Sequence, residues 1–189
     1  MMAVAPTFEP IGRVLTAAEY DALPENPRRE LVDGVVQVMA TPTPWHQDIK
    51  IALVNALRRL VPGRLRVTSE IEVRLAELVR RNPDVLVVEA AGFSRRVAHL
   101  LPAQVVLAVE VVSPGSESMD RLVKPDQYAR AGIAHYWRIE SSPELVVHTF
   151  RLDGGSEYVQ TGIFGESAVV MAPGLAWAEI AVRDLVVED

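Results

Sequence analysis

The chain has 189 residues, 49% hydrophobic and 23% charged, a composition that fits one domain with a real core and excludes a disordered or fibrous protein. Cysteine is absent, which excludes disulfides, thiolate chemistry and cysteine-based zinc sites. The net charge of −6 argues against non-specific coating of nucleic acid, because that activity needs a broad cationic surface to displace counterions.

The longest apolar stretches run to about eight residues, far short of a bilayer span, and Met1 to Pro10 shows no basic start followed by an apolar block. A cytoplasmic protein without membrane partners is expected. Charge is uneven along the chain. From Arg58 to Arg96 nine arginines face five acidic residues, whereas from Glu140 to Asp189 two face nine. A polyanion should therefore meet the middle of the chain, although such imbalance is also common on ordinary solvated surfaces.

In chain order, Thr16 to Tyr20 predicts a short helix, with Thr16 as N-cap and Glu19 completing a capping box. Glu30 to Met39 places Asp33-Gly34 between two apolar runs, a strong hairpin signal. From Pro44 to Leu60, Ile49, Leu53, Ala56, Leu57 and Leu60 recur at the spacing of a helix with one buried face. His46, seven residues before Leu53, projects from that face. Leu65 to Leu75, Val85 to Val88 and Val105 to Val112 are strand candidates, and the connection 90–104 is long enough to be functional or mobile. Asp126 to Ala131 predicts a helix closed by Gly132. Tyr136 to Glu140, Leu145 to Arg151 and Glu157 to Thr161 predict strands, the last two around Asp153-Gly154-Gly155, with Trp137 in the core.

The pattern predicts an α/β or α+β domain with a mixed β-sheet core flanked by helices, an N-terminal β-hairpin and C-terminal antiparallel strands. One domain should span 1–189, with its core at about 16–140 and a C-terminal strand extension at about 141–189.

The stretch from Asn82 to Val112 carries the chemistry. Pro83-Asp84 opens one apolar run and Glu110 lies inside another. A core strand does not bury a carboxylate without a partner. A divalent cation is one such partner: Mg²⁺ or Mn²⁺ takes oxygen ligands, keeps several waters and is completed by substrate phosphate oxygens. A buried salt bridge, for example to Arg121, is the other. Lys124, one of two lysines in the chain, follows Glu110 by 14 residues and could hold a water or a phosphate.

Pro83-Asp84-Val85, Val109-Glu110-Val111-Val112-Ser113-Pro114, Asp120-Arg121 with Lys124 and Tyr128, Ala131-Gly132-Ile133 and Tyr136-Trp137 together resemble the Uma2 family, also called DUF820, of the PD-(D/E)XK restriction-endonuclease-like superfamily. Glu30-Leu31-Val32-Asp33-Gly34, Met39 and His46 extend the resemblance through the first half of the chain. The resemblance implies Asp84 and Glu110 as metal ligands, Glu30 as an accessory acid and Lys124 as the stand-in for the superfamily lysine. That lysine departs from the simplest pattern: two residues after the glutamate stands Val112, and Pro125 biases Lys124 away from helical geometry and should start the helix there.

Beside these readings stand plainer ones. Glu30 could pair with Arg28 or Arg29, His46 could be a hydrogen-bonded core histidine, and Gln127 and Tyr128 could reach the site or pack. The leading expectation is a Mg²⁺- or Mn²⁺-dependent endonuclease acting on DNA as a homodimer. Asp84, Glu110 and the Val111 carbonyl would hold the metal, and Lys124 would orient the attacking water. The alternative is a nuclease-fold protein without catalysis, acting as a nucleic-acid-binding or regulatory module. A paired-carboxylate glycosidase is a third, weakened by tryptophan only at 45, 137 and 177.

Overall fold

The computed structural model describes residues 14–24, 28–94, 96, 98–113 and 115–186. Helix α1 (Ala17–Asp21) carries the predicted capping box, the Thr16 hydroxyl accepting from the Glu19 amide. Strands β1 (Arg29–Val32) and β2 (Val35–Val38) form the hairpin, and Asp33 and Gly34 both take positive φ, as a turn matched to strand twist requires. Helix α2 (Pro44–Leu60) starts with Pro44 in its first turn behind the Thr43 cap and buries Ile49, Leu53 and Leu57.

Beyond α2 the chain alternates between two sheets. Strand β3 (Leu65–Thr68) and strand β4 (Glu72–Ala76) belong to different sheets, which corrects the single strand expected over Leu65 to Leu75. The corner between them is Ser69-Glu70-Ile71, where Glu70 has φ 55° and its amide donates to the Pro83 carbonyl at 3.0 Å. Strand β5 (Val79–Arg81) stays with β4, and strand β6 (Val85–Glu89) returns to β3. The connection 90–104 holds a short strand β7 (His99–Leu100) paired with β4 and a helical turn at Pro102–Gln104.

Strand β8 (Val105–Val111) pairs antiparallel with β6 and parallel with β9 (His135–Glu140). A parallel pair needs a crossover. Here it is a wide π-type turn, Met119–Val123, running straight into α3 (Lys124–Arg130). Lys124 is helical at φ −62° and ψ −47° despite the following proline, so α3 begins at the lysine rather than beyond it. Strands β10 (Val146–Leu152) and β11 (Tyr158–Gly165) extend the same sheet in the order β11-β10-β9-β8-β6-β3, while the other sheet runs β2-β1-β5-β4-β7. Short strands β12 (Val169–Val170) and β13 (Ile180–Ala181) pair beside them.

The six-stranded sheet is covered on both faces, which is why β6 and β8 are apolar on both faces apart from Glu89 and Glu110. Val85, Val87, Leu107, Val109 and Val111 pack toward α2 with Trp137 and the C-terminal Leu175 to Leu185. Leu86, Val88 and Ala108 pack the other way, against Tyr128, Ile133 and Tyr136. Alternation along β8 therefore turns Glu110 toward α3. Among the described residues no helix is long and apolar enough to cross a membrane.

Gly34 ties the hairpin to the chain before α1. Its φ is +80°, and a Cβ there would overlap the Val14 side chain and come within 3.3 Å of the Leu15 carbonyl. The variant Gly34→Ala should lose about 1–3 kcal/mol of stability, read as a lower urea midpoint at unchanged m-value.

Candidate active site

Asp84 and Glu110 are brought together by strand register. In the β6–β8 pair Val85 lies opposite Val109 and Leu86 opposite Ala108. Continuing one step sets Asp84 opposite Glu110, at the distance where cross-strand side chains touch. Both are buried, 7% and 2% exposed. Asn82-Pro83-Asp84 is also where the chain leaves β5 in one sheet and enters β6 in the other. A cavity of about 390 Å³ opens there, with Glu30, His46, Arg81, Asp84, Glu110 and Lys124 in its wall. A larger depression of about 740 Å³ beside β3 contains no acidic residue in its lining.

Each group has a partner. Asp84 Oδ2 accepts the Val111 amide at 2.8 Å and faces His46 Nε2 at 3.2 Å. Burial would raise the Asp84 pKa, but His46 and the Val111 amide outweigh it and hold the carboxyl below its ordinary value. Glu110 Oε2 receives the Lys124 ammonium at 2.9 Å and Oε1 the Tyr128 hydroxyl at 2.5 Å. Burial, with Asp84 and Asp120 close by, overcomes the Lys124 charge and pushes Glu110 up to about 8. Lys124 also lies 2.7 Å from Asp120 Oδ1. Burial opposes its charge, but Glu110 and Asp120 outweigh burial and raise its pKa.

A second tier stands behind this one. Glu30 accepts Arg81 Nη1 at 2.7 Å and the Asn82 amide at 2.8 Å, and Arg81 Nε donates to Gln127 at 2.8 Å. Arg81 is 1% exposed. The expected alternatives for two acids are thereby corrected. Glu30 pairs with Arg81 rather than Arg28 or Arg29, and Arg121 pairs with Glu140 at 2.8 Å, leaving Glu110 to Lys124. Trp137 is core, 1% exposed.

The geometry thus gathers Glu30, His46, Asp84, Glu110, Val111 and Lys124 around one cavity floor, with Tyr128 bonded to Glu110 and Gln127 to Arg81 behind it. Acidic Glu30, Asp84, Glu110 and Asp120 outnumber Arg81 and Lys124 there, so the floor carries excess negative charge. Among the described residues no three His, Asp or Glu side chains are disposed to hold a metal. The cavity offers a hard cation the Asp84–Glu110 pair and the Val111 peptide, a donor set completed by waters. Burial is the main cause of the raised Glu110 pKa, with Asp84, Asp120 and Glu30 adding to it.

A family model named Uma2 and described as "Putative restriction endonuclease" matches residues 17–183. The chain belongs to the Uma2 family. A crystal structure described as "a putative nuclease belonging to DUF820 from Anabaena variabilis ATCC 29413" matches with a TM-score of 0.75 at 21% identity, over 90% of this chain and 97% of that one. At that identity the likeness is one of fold, and it bears out the mixed-sheet nuclease fold implied by the sequence motifs. No curated protein matches the chain.

Two members of this Uma2 cluster have no role in the sequence reading, which names Asp120 only as part of the family motif and Arg81 not at all. Asp120 was legible in principle, since it precedes Lys124 by four residues, the spacing of helical neighbours. Arg81 gave no local signal, because its partner Glu30 lies 51 residues away. Part of the arginine excess of the middle chain is matched by acids. Arg74 and Arg80 pair with Asp21 and Glu72, Arg81 with Glu30, and Arg64 with Glu89.

Arg81→Met would strand Glu30 in the interior, and a loss of roughly 3–5 kcal/mol is expected. The double variant Glu30→Leu/Arg81→Met should recover much of it, measured by urea unfolding of all three proteins.

Proposed function

We propose that the chain is a divalent-metal-dependent endonuclease that hydrolyses DNA phosphodiester bonds. The observation that carries this reading is the convergence of Asp84, Glu110 and Lys124 on one cavity, in a chain whose family is described as a restriction endonuclease. Asp84, Glu110 and the Val111 carbonyl would hold Mg²⁺ or Mn²⁺. When bound, such an ion lowers the pKa of a water and stabilises charge on the phosphate.

The protein's own groups do the remaining work. Asp84 is kept ionised by His46 and the Val111 amide, so it is ready to bind a cation at neutral pH. Lys124, whose ammonium stays charged between Glu110 and Asp120, would hold the attacking oxygen or a phosphate oxygen. Tyr128 fixes the rotamer of Glu110 through Oε1. Glu30, bonded to Arg81 and to the amide of Asn82, holds the Asn82-Pro83-Asp84 corner in place. A two-fold dimer belongs to the same reading, since two sites serve the two strands of a duplex.

A non-catalytic, nucleic-acid-binding module is the second reading. One observation favours it: Lys124 and Tyr128 between them occupy both oxygens of Glu110. The deciding experiment is nicking of supercoiled plasmid and cutting of single-stranded DNA in Mg²⁺, Mn²⁺ and EDTA. Metal-dependent cleavage that falls roughly 100-fold or more in Asp84→Asn is expected. Absence of cleavage by the wild type in either metal would favour the module.

Metal uptake should also depend on pH. Glu110, raised from 4.5 to about 8, keeps its proton through neutrality. Its contribution to stability in the metal-free protein is full below about pH 4.5 and is lost as pH rises through about 8. A cation takes the carboxylate, so binding at pH 7 should release a proton and affinity should climb toward pH 8. Calorimetry in buffers of different ionisation enthalpy reads both effects.

A further inference from the structure

Both oxygens of Glu110 already carry donors. Oε1 accepts the Tyr128 hydroxyl, and Oε2 the Lys124 ammonium at 2.9 Å. A carboxylate oxygen has room for a second contact, but an ammonium and a divalent ion on one buried oxygen would stand within a few ångströms of each other. In a site of low dielectric that repulsion is large. The lysine must therefore give way when a cation reaches Glu110.

The fold supplies a place for it. Asp120, 2% exposed, lies 2.7 Å from the same ammonium, and its other oxygen is held by the Ser116 hydroxyl. Ser116 is fixed in turn, its hydroxyl 2.9 Å from the Ser113 carbonyl. The π-type turn Met119–Val123 delivers Asp120 and Lys124 to the same side of the crossover, and such turns recur at functional sites. An ammonium leaving Glu110 thus stays bonded to a second buried carboxylate and is never left as an unpaired charge.

We propose that Lys124 and the divalent cation compete for Glu110, and that Asp120 is a positioning residue that receives the lysine when the cation binds. This rests on the metal-dependent reading above. In the metal-free protein the Lys124 ammonium lies 2.9 Å from Glu110 Oε2. In the loaded protein it gives up Glu110, keeps its contact with Asp120 and holds its charge in the cavity, facing the phosphate.

The chain has two lysines, Lys50 and Lys124, and Lys50 pairs with a different acid, 2.8 Å from Glu70. Protein labelled with ¹⁵N- and ¹³C-lysine therefore gives two side-chain ammonium signals, assigned with Lys124→Met. Titrating wild type with Mg²⁺ should move the Lys124 signal and leave Lys50 in place. Calorimetric Mn²⁺ titration should show roughly tenfold tighter binding in Lys124→Met and weaker binding in Asp120→Asn, a coupling of ordinary size between two sites. Because Asp120 acts through the lysine, the Asp120→Asn effect should shrink in the Lys124→Met background, while Asp120→Glu should restore the wild-type response.

Metal binding that is abolished by Asp84→Asn but not tightened by Lys124→Met would overturn the competition and leave the metal site standing. An equal Asp120→Asn effect in both backgrounds would overturn the role of Asp120. Failure of both wild type and Lys124→Met to bind either ion would overturn the metal reading and this proposal together.

Discussion

A carboxylate in a strand that is covered on both faces is the constraint on which this molecule turns. Glu110 is 2% exposed on β8, and an unpaired charge there costs several kcal/mol. Strand neighbours cannot meet that cost, since the residues on either side are Val109 and Val111, both facing α2. The partners come from the crossover instead. Because β8 and β9 are parallel, the chain must cross the sheet between them, and that crossover is the segment carrying Lys124 and Tyr128. The topology and the charge balance of the site are thus one arrangement.

The second acid depends on the other sheet. Asp84 stands at the corner where β5 gives way to β6, and the corner is pinned from several directions. Glu30 on β1 bonds the Asn82 amide, the Asn82 side chain donates to the Arg29 carbonyl, and the Pro83 carbonyl accepts the Glu70 amide. Glu70 takes its left-handed backbone at the matching corner between β3 and β4. The two corners are hydrogen-bonded to each other, so the position of Asp84 relative to Glu110 is set jointly by both sheets.

What was legible in the sequence follows from the range of each interaction. The capping box at Thr16, the Asp33-Gly34 turn and the buried face of α2 are encoded within a few residues, and each was read directly. Asp84 and Glu110 were legible because a carboxylate beside or inside a β-branched run is out of place. The split of Leu65 to Leu75 between two sheets was not, since alternation reports that a strand is half-buried and not which strand it pairs with. Arg81 was hidden for a related reason. An arginine next to a strand reads as surface, and only its distant partners Glu30 and Gln127 make it interior. Counting charges along the chain also misses pairing, because several of the arginines it counts are matched by acids from other elements.

The placement of the lysine illustrates how little the chain position of a charge matters beside its position in space. Two residues beyond Glu110, where the simplest pattern sets a lysine, Val112 is 5% exposed and apolar. The ammonium arrives from the start of α3 and still reaches 2.9 Å from Glu110. A lysine on the strand would be held by the sheet, its backbone fixed by the ladder on both sides. A lysine at a helix start has a neighbour four residues back, and here that neighbour is an acid. Moving the cation from strand to helix therefore gives it a second carboxylate and, with it, a second place to sit.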